Sequence, residues 1–160
     1  LLLPYVQTAE EARSAVKSIS YGPKGIRGIA GSTRATRYGL VENYFQNARD
    51  EICLLVQVES IKAIQELEQI ATTDGIDGVF IGPGDLSSSM GYPGELEHPE
   101  VVSVIKDALS LLNKLNVPSG ILALNTPSAN MYIEHGTIFT AVGVDLVLLT
   151  DAARNLRESF

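Results

Sequence analysis

The sequence has no tryptophan, one cysteine and an excess of acidic over basic residues. Cys53 stands alone, so an internal disulfide is excluded, and its place inside an apolar run reads as buried packing rather than chemistry. Lys and Arg number 12 against 19 Asp and Glu, which leaves a net charge of −7. That balance argues against nucleic acid and anionic membrane as partners, although a locally basic, anion-binding pocket stays compatible with it. No apolar run is long enough to cross a bilayer, and no signal-peptide pattern is visible, so a cytoplasmic location is the expectation. The first residue is Leu rather than Met, and Leu1-Leu-Leu-Pro-Tyr-Val6 already reads as an interior strand. The chain is therefore expected to be a piece of something longer.

The 160 residues are 45% hydrophobic, ample for a globular core. Two apolar runs organise them: Leu54-Leu-Val-Gln-Val-Glu59 and Val79-Phe-Ile-Gly-Pro-Gly-Asp85. Each ends in a carboxylate, and one helical pattern, about Ser60 to Thr72, lies between them. Short apolar runs alternating with helix-length patterns read as buried parallel strands with crossover helices. Ligands in such folds sit at the carboxyl ends of the strands. Glu59 and Asp85 are thus expected on one rim, where two oxygen ligands suit a hard divalent cation such as Mg²⁺ or Mn²⁺, with Co²⁺ as an alternative. A carboxylate after a strand also serves as a plain helix cap. Gly82-Pro83-Gly84 favours the ligand reading, because a side-chain-poor turn lets backbone N–H groups approach an anion.

Along the chain, Leu1 to Val6 reads as a buried strand, and Thr8 with Glu11 as a capping box opening a helix with an Ala12, Ala15, Val16, Ile19 stripe. Ile26 to Gly39 is irregular and holds Arg27, Arg34 and Arg37 among small residues, the look of a functional rim loop. Val41 to Asp50 is a predicted short helix, and Glu51 to Glu59 contains the second strand. The third strand is Val79 to Gly82, with a helical turn over Leu86 to Gly91. His98 reads as a cap before the long helix that Pro99 starts, and His135-Gly136 as a helix C-terminus. Val117 to Leu124 carries the fourth strand and Thr126 to His135 a helix. Phe139 to Asp145 is the fifth strand region, with Leu146 to Thr150 extending it or beginning a connection to a last helix, Asp151 to Phe160. Five β/α units in this order predict an α/β fold of the (β/α)8 TIM-barrel type. A barrel needs eight strands and about 250 residues, so residues 1–160 are expected to be the C-terminal five units of a single barrel domain.

With those residues in view, the chain resembles the HpcH/HpaI aldolase family. The resemblance runs nearly end to end. It rests on Leu2-Leu-Pro-Tyr-Val-Gln-Thr-Ala-Glu-Glu-Ala-Arg13, Pro23-Lys-Gly-Ile-Arg-Gly28, Val56-Gln-Val-Glu59, Gly75 to Ser87, Met90-Gly-Tyr-Pro93 and Ala141-Val-Gly-Val-Asp145. It implies a divalent-metal-dependent (class II) pyruvate aldolase that cleaves a 4-hydroxy-2-oxo acid to pyruvate and an aldehyde. By the same resemblance Glu59 and Asp85 match the metal-binding carboxylates, Gln57 a pocket glutamine, and the N–H groups of Gly84 and Asp85 the holders of the pyruvate carboxylate. Gly84 stands where many members have alanine. Arg34 and Arg37 would serve aldehyde binding or subunit contact.

The family's histidine–acid pair and its pyruvate-gripping arginine would lie before Leu1, and neither His98 nor His135 replaces them. No catalytic residue is therefore assigned within the chain, which alone is expected to be inactive or poorly active. The family also implies a homo-oligomer, a hexamer built from dimers that exchange a C-terminal helix. Two other functions fit the pattern less well: a lyase of acyl-CoA thioesters of the citryl- or malyl-CoA type, and a metal-binding module without catalysis.

Overall fold

The computed structural model describes residues 1–160. Five strands form one parallel sheet in the order β1-β2-β3-β4-β5: β1 Leu2–Leu3, β2 Leu55–Val58, β3 Gly78–Ile81, β4 Ser119–Leu122 and β5 Phe139–Ala141. The helices are α1 Ala9–Ile19, α2 Tyr44–Asn47, α3 Ile61–Gln65, α4 Leu67–Ala71, α5 Pro83–Ser89, α6 Pro99–Lys114, α7 Thr126–Glu134 and α8 Asp145–Glu158. Sequential parallel strands with helical crossovers are the predicted α/β barrel-type order.

The two faces of the sheet differ. Val56, Val58, Val79, Ile81 and Ile121 are almost completely buried and join one core cluster with Leu67, Ile70, Leu86, Ile105, Leu109 and Leu112 of the helices. The opposite face carries the row Gln57, Phe80, Gly120 and Phe139, register partners on successive strands. Gly120 has to be glycine, since a Cβ there would stand 2.8 Å from Phe80 Cδ2 and 2.7 Å from the Phe139 carbonyl oxygen. Phe80 and Phe139 close over it at 5.7 Å between ring centroids. None of this row belongs to the helix-side cluster. Helices against one face only is the construction of a barrel wall, whereas a doubly wound sheet is covered on both.

Several boundaries differ from expectation. The predicted buried strand Leu1–Val6 is two residues of regular β1, and Leu1, Leu2 and Leu3 are exposed. An edge strand with one neighbour buries less than a central one; only Val6 reaches the core. The helix expected over Ser60–Thr72 is two, α3 and α4, divided at Glu66 (φ −97°, ψ 7°). Only four residues of the Val41–Asp50 prediction are helical. Leu146–Thr150 is neither strand nor connection but part of α8, whose start at Asp145 gives it 14 residues. The apolar Leu-Val-Leu-Leu stretch misled the periodicity reading, because α8 buries none of its residues. Cys53 is exposed and precedes β2, so the buried-packing reading was wrong.

Candidate active site

Glu59 follows the last residue of β2 and is 4% exposed. Two donors hold its carboxylate. The Tyr5 backbone N–H donates to Oε1 at 2.7 Å, and Gln57 Nε2 donates to Oε2 at 2.6 Å. Tyr5 reaches that position because its backbone turns into the left-handed region, φ 59°, as the chain leaves β1. A non-glycine residue held there signals local strain of the kind that collects at functional sites.

Asp85 enters from the neighbouring crossover. Ile81 ends β3, Gly82 is the helix N-cap and Pro83 the first residue of α5, so Gly84 and Asp85 lie in the first helical turn. The segment expected to be a glycine turn is thus the opening of a helix, and the predicted helical stretch begins before Asp85 rather than after it. No side chain caps α5, which leaves its first N–H groups without side-chain acceptors. Gly82 is required by the site itself: a Cβ there would stand 2.7 Å from Gln57 Nε2 and 2.8 Å from Glu59 Cβ. Gly84 is under no such constraint, since nothing lies within 4 Å of its Cβ position.

The electrostatics follow from this crowding. Burial pushes the Glu59 carboxyl above its ordinary range; the Tyr5 and Gln57 hydrogen bonds oppose that, and the negative charge of Asp85 adds to it. Two acids facing each other, one of them buried, form a site that a divalent cation would neutralise. Both offer hard oxygen donors, and each Glu59 oxygen retains a lone pair after its hydrogen bond. No group of three or more His, Cys, Asp or Glu side chains converges in the chain. The fit is therefore to an oxygen-preferring cation that takes two protein carboxylates and completes its shell with water and a chelating ligand.

Of the residues singled out from sequence, Gln57, Glu59, Gly84 and Asp85 come together on this rim. His98 does not: it caps α6, accepting from Glu100 N–H at 3.3 Å, and stacks on Tyr92. His135 ends α7, as expected. Arg34 and Arg37 lie exposed in a loop pinned by buried Thr36, whose hydroxyl bonds the backbone of Gly31, Thr33 and Gly39. Tyr5 was missed as a site residue, and Gly82 was read only as part of a turn, not as the contact that Gln57 and Glu59 require. The Gly82 signal was available, as a glycine between an apolar run and an acid; the Tyr5 contact depends on a backbone turn that no local pattern announces.

The family model described as HpcH/HpaI aldolase/citrate lyase matches residues 1–152. A hydroxypyruvate/pyruvate aldolase of Sagittula stellata is 54% identical over 153 residues, 96% of this chain and 60% of its own length. A 4-hydroxy-2-oxo-heptane-1,7-dioate aldolase of Shigella sonnei is 46% identical over 161 residues, covering 100% of this chain and 62% of its own length. An HpcH/HpaI aldolase/citrate lyase family protein from Burkholderia cenocepacia J2315, of known structure, superposes with a TM-score of 0.94 at 34% identity, over 99% of this chain and 63% of that one. The chain thus spans about three-fifths of the length of the relatives it matches.

Proposed function

We propose, for a chain that belongs to the HpcH/HpaI aldolase/citrate lyase family, that it carries the metal-binding and oxo-acid-binding half of a class II pyruvate aldolase. The protein containing it would cleave a 4-hydroxy-2-oxo acid to pyruvate and an aldehyde, a carbon–carbon lyase reaction. One observation carries this reading: a buried Glu59, fixed by two hydrogen bonds, faces Asp85 on one sheet rim beside an uncapped helix start.

Glu59 and Asp85 would hold the divalent cation, Mg²⁺ or Mn²⁺ by their hard-oxygen chemistry. The bound cation would supply Lewis acidity at the keto oxygen and offset the negative charge that develops as the neighbouring C–C bond breaks. The chain's own residues do the positioning. Tyr5 N–H and Gln57 fix the orientation of Glu59, so no rotamer search accompanies ligand entry. The N–H groups of Gly84 and Asp85 suit the carboxylate of a 2-oxo acid. The proton-transferring histidine–acid pair and the pyruvate-gripping arginine of the family are assigned to residues outside 1–160.

We further read residues 1–160 as five units of one eight-stranded barrel. The half-exposed Leu2 and Phe139 mark the faces that further strands would cover. α8, with its exposed Leu146, Leu148 and Leu149, suits contact with another copy of the chain in a homo-oligomer.

The test uses the full-length protein loaded with Mn²⁺. Exchange of the pyruvate methyl protons with D₂O, followed by NMR, reads the enolising half-reaction without any aldehyde. Calorimetry of Mn²⁺ binding reads the metal site. Rapid exchange, with both signals lost in Glu59→Gln and in Asp85→Asn, supports the reading. Wild-type metal affinity in both variants would sink it.

A further inference from the structure

α5 carries Asp85 past the end of β2, and hydrogen bonds hold that helix at both of its ends. At the start, Gly82 N–H donates to the Val58 carbonyl at 3.1 Å, one residue before Glu59. At the far end, Ile61 N–H donates to Ser89 Oγ at 3.0 Å, two residues after Glu59. Asp85 and Ser89 stand four apart on α5, about one helical turn, so they share a face. One turn of that face meets Glu59, and the next meets the start of α3.

The Ser89 bond answers a specific need. Ile61 is the first residue of α3, so its N–H has no partner inside that helix. Ser60, the N-cap, spends its hydroxyl oxygen on Ala63 N–H at 3.1 Å and leaves Ile61 N–H free. Ser89 satisfies it from 28 positions away in sequence. The neighbouring serines do nothing comparable. Ser87 is buried and donates to the Gly84 carbonyl at 2.7 Å within α5, and Ser88 is exposed and makes no side-chain hydrogen bond.

Charge explains why a tie is wanted here. Glu59 and Asp85 face each other as like charges, and their repulsion acts to drive α5 away from the β2–α3 junction. The Ser89–Ile61 bond resists that displacement at the end of α5 that the sheet does not hold. It thereby fixes the separation at which two carboxylates can share one cation. Separation also bears on which cation fits, since Mg²⁺ takes its oxygens at about 2.0–2.1 Å and Ca²⁺ at about 2.3–2.6 Å in a looser shell.

We propose that Ser89 is a positioning residue of the metal site: through Ile61 N–H it pins α5 to the start of α3, holds Asp85 at chelating distance from Glu59 and so favours a small divalent cation over a large one. The inference rests on the metal-site reading above. Ser89 itself touches neither cation nor substrate, and its effect passes through Asp85.

The experiment follows Mn²⁺ binding to the full-length protein by the EPR signal of the free ion, with Mg²⁺ and Ca²⁺ as competitors. Urea unfolding in EDTA is run on the same variants. The wild type should bind Mn²⁺ and prefer Mg²⁺ to Ca²⁺. Ser89→Ala should weaken Mn²⁺ binding about tenfold, the lower end of the range for groups that orient metal ligands. It should also narrow the preference for Mg²⁺ over Ca²⁺ by about threefold or more, as a looser site accepts the larger ion. Ser89→Thr keeps the acceptor and should restore both values, and Ser88→Ala should alter neither. Ile61→Pro removes the donor instead. Proline is tolerated at a first helical position, and Ser60 before it is already extended (φ −146°, ψ 157°). That variant should weaken Mn²⁺ binding by a similar factor, and the double variant should lose no more than either single one. Wild-type affinity and ion preference in folded Ser89→Ala, equal weakening of all three ions, or losses that add in the double variant would overturn the positioning role and leave the metal site standing. Absence of Mn²⁺ binding in the wild type would overturn both.

Discussion

Glu59 and Glu97 each accept two hydrogen bonds from the protein, and the similarity ends there. Glu59 is buried, both of its oxygens are engaged, and its donors come from β2 and from the turn after β1. Glu97 is exposed, only one oxygen is engaged, and its donors come from the start of α7. The first acid is built to be immobile, and burial raises the free energy of its charge. The second is a solvated charge, tied through one oxygen to the start of α7. Position relative to the sheet decides the difference. A residue one step beyond a central strand inherits the rigidity of the ladder, whereas a loop residue has to be tied down by side chains.

The comparison breaks most completely at Gly82. A methyl group at this position has to displace Gln57 Nε2 or Glu59, because both stand closer than van der Waals contact permits. Gly82→Ala should lower Mn²⁺ affinity by about 100-fold, the scale seen when groups orienting metal ligands are lost, and destabilise the fold by about 1–3 kcal/mol through overpacking. Calorimetry and urea unfolding read the two effects. Unchanged metal affinity in a folded variant would show that the Gln57–Glu59 arrangement is not what the cation needs.

Glu59→Gln sharpens the contrast from the other side. In metal-free buffer at pH 7 the amide removes a buried charge beside Asp85, and Gln57 can turn its own amide to offer a matching partner. The variant should be as stable as the wild type or more stable, by about 1 kcal/mol, in urea unfolding with EDTA. Glu97→Gln, at an exposed position, should move stability by less than about 0.5 kcal/mol. Equal effects from the two substitutions would remove the distinction between a buried, charge-strained acid and a solvated one.

Asn125→Ala attacks the anchor of the exposed acid. It removes the α7 N-cap and one of the two donors to Glu97. The loss should be about 1 kcal/mol, the usual worth of an N-cap side chain. Asn125→Ser restores the cap but not the reach to Glu97. Recovery of stability in the serine variant would assign the effect to the cap, and no recovery would assign it to the tie across to the loop.

The same contrast explains what could be read from sequence. Glu59 and Asp85 were legible because each follows an apolar run, and strand ends define the ligand-binding rim in this class of fold. Gln57 entered only through the family resemblance, whereas Gly84 was legible as part of a side-chain-poor turn between an apolar run and an acid. Tyr5 was invisible, since its role is a backbone N–H delivered by a left-handed turn 54 residues away in sequence from Glu59. α8 was shortened in the sequence reading because its apolar stretch sits on an uncovered helix, where burial gives no period to recognise. The divided helix at Glu66 had no glycine or proline to announce it.

The smallest expected effect falls at Gly84, two residues from the most sensitive position. Its φ is not in the left-handed region, and no atom lies within 4 Å of where a Cβ would stand. It occupies the first turn of α5, where alanine loses less backbone entropy on folding than glycine. Gly84→Ala should therefore leave Mn²⁺ affinity and pyruvate exchange within about twofold and raise stability by about 0.4–1 kcal/mol. The backbone N–H assigned to the oxo-acid carboxylate is the same in both residues. A large loss of exchange in this variant would mean that the ligand needs the open space above Gly84 itself, and the carboxylate would then have to sit over the helix start rather than beside it.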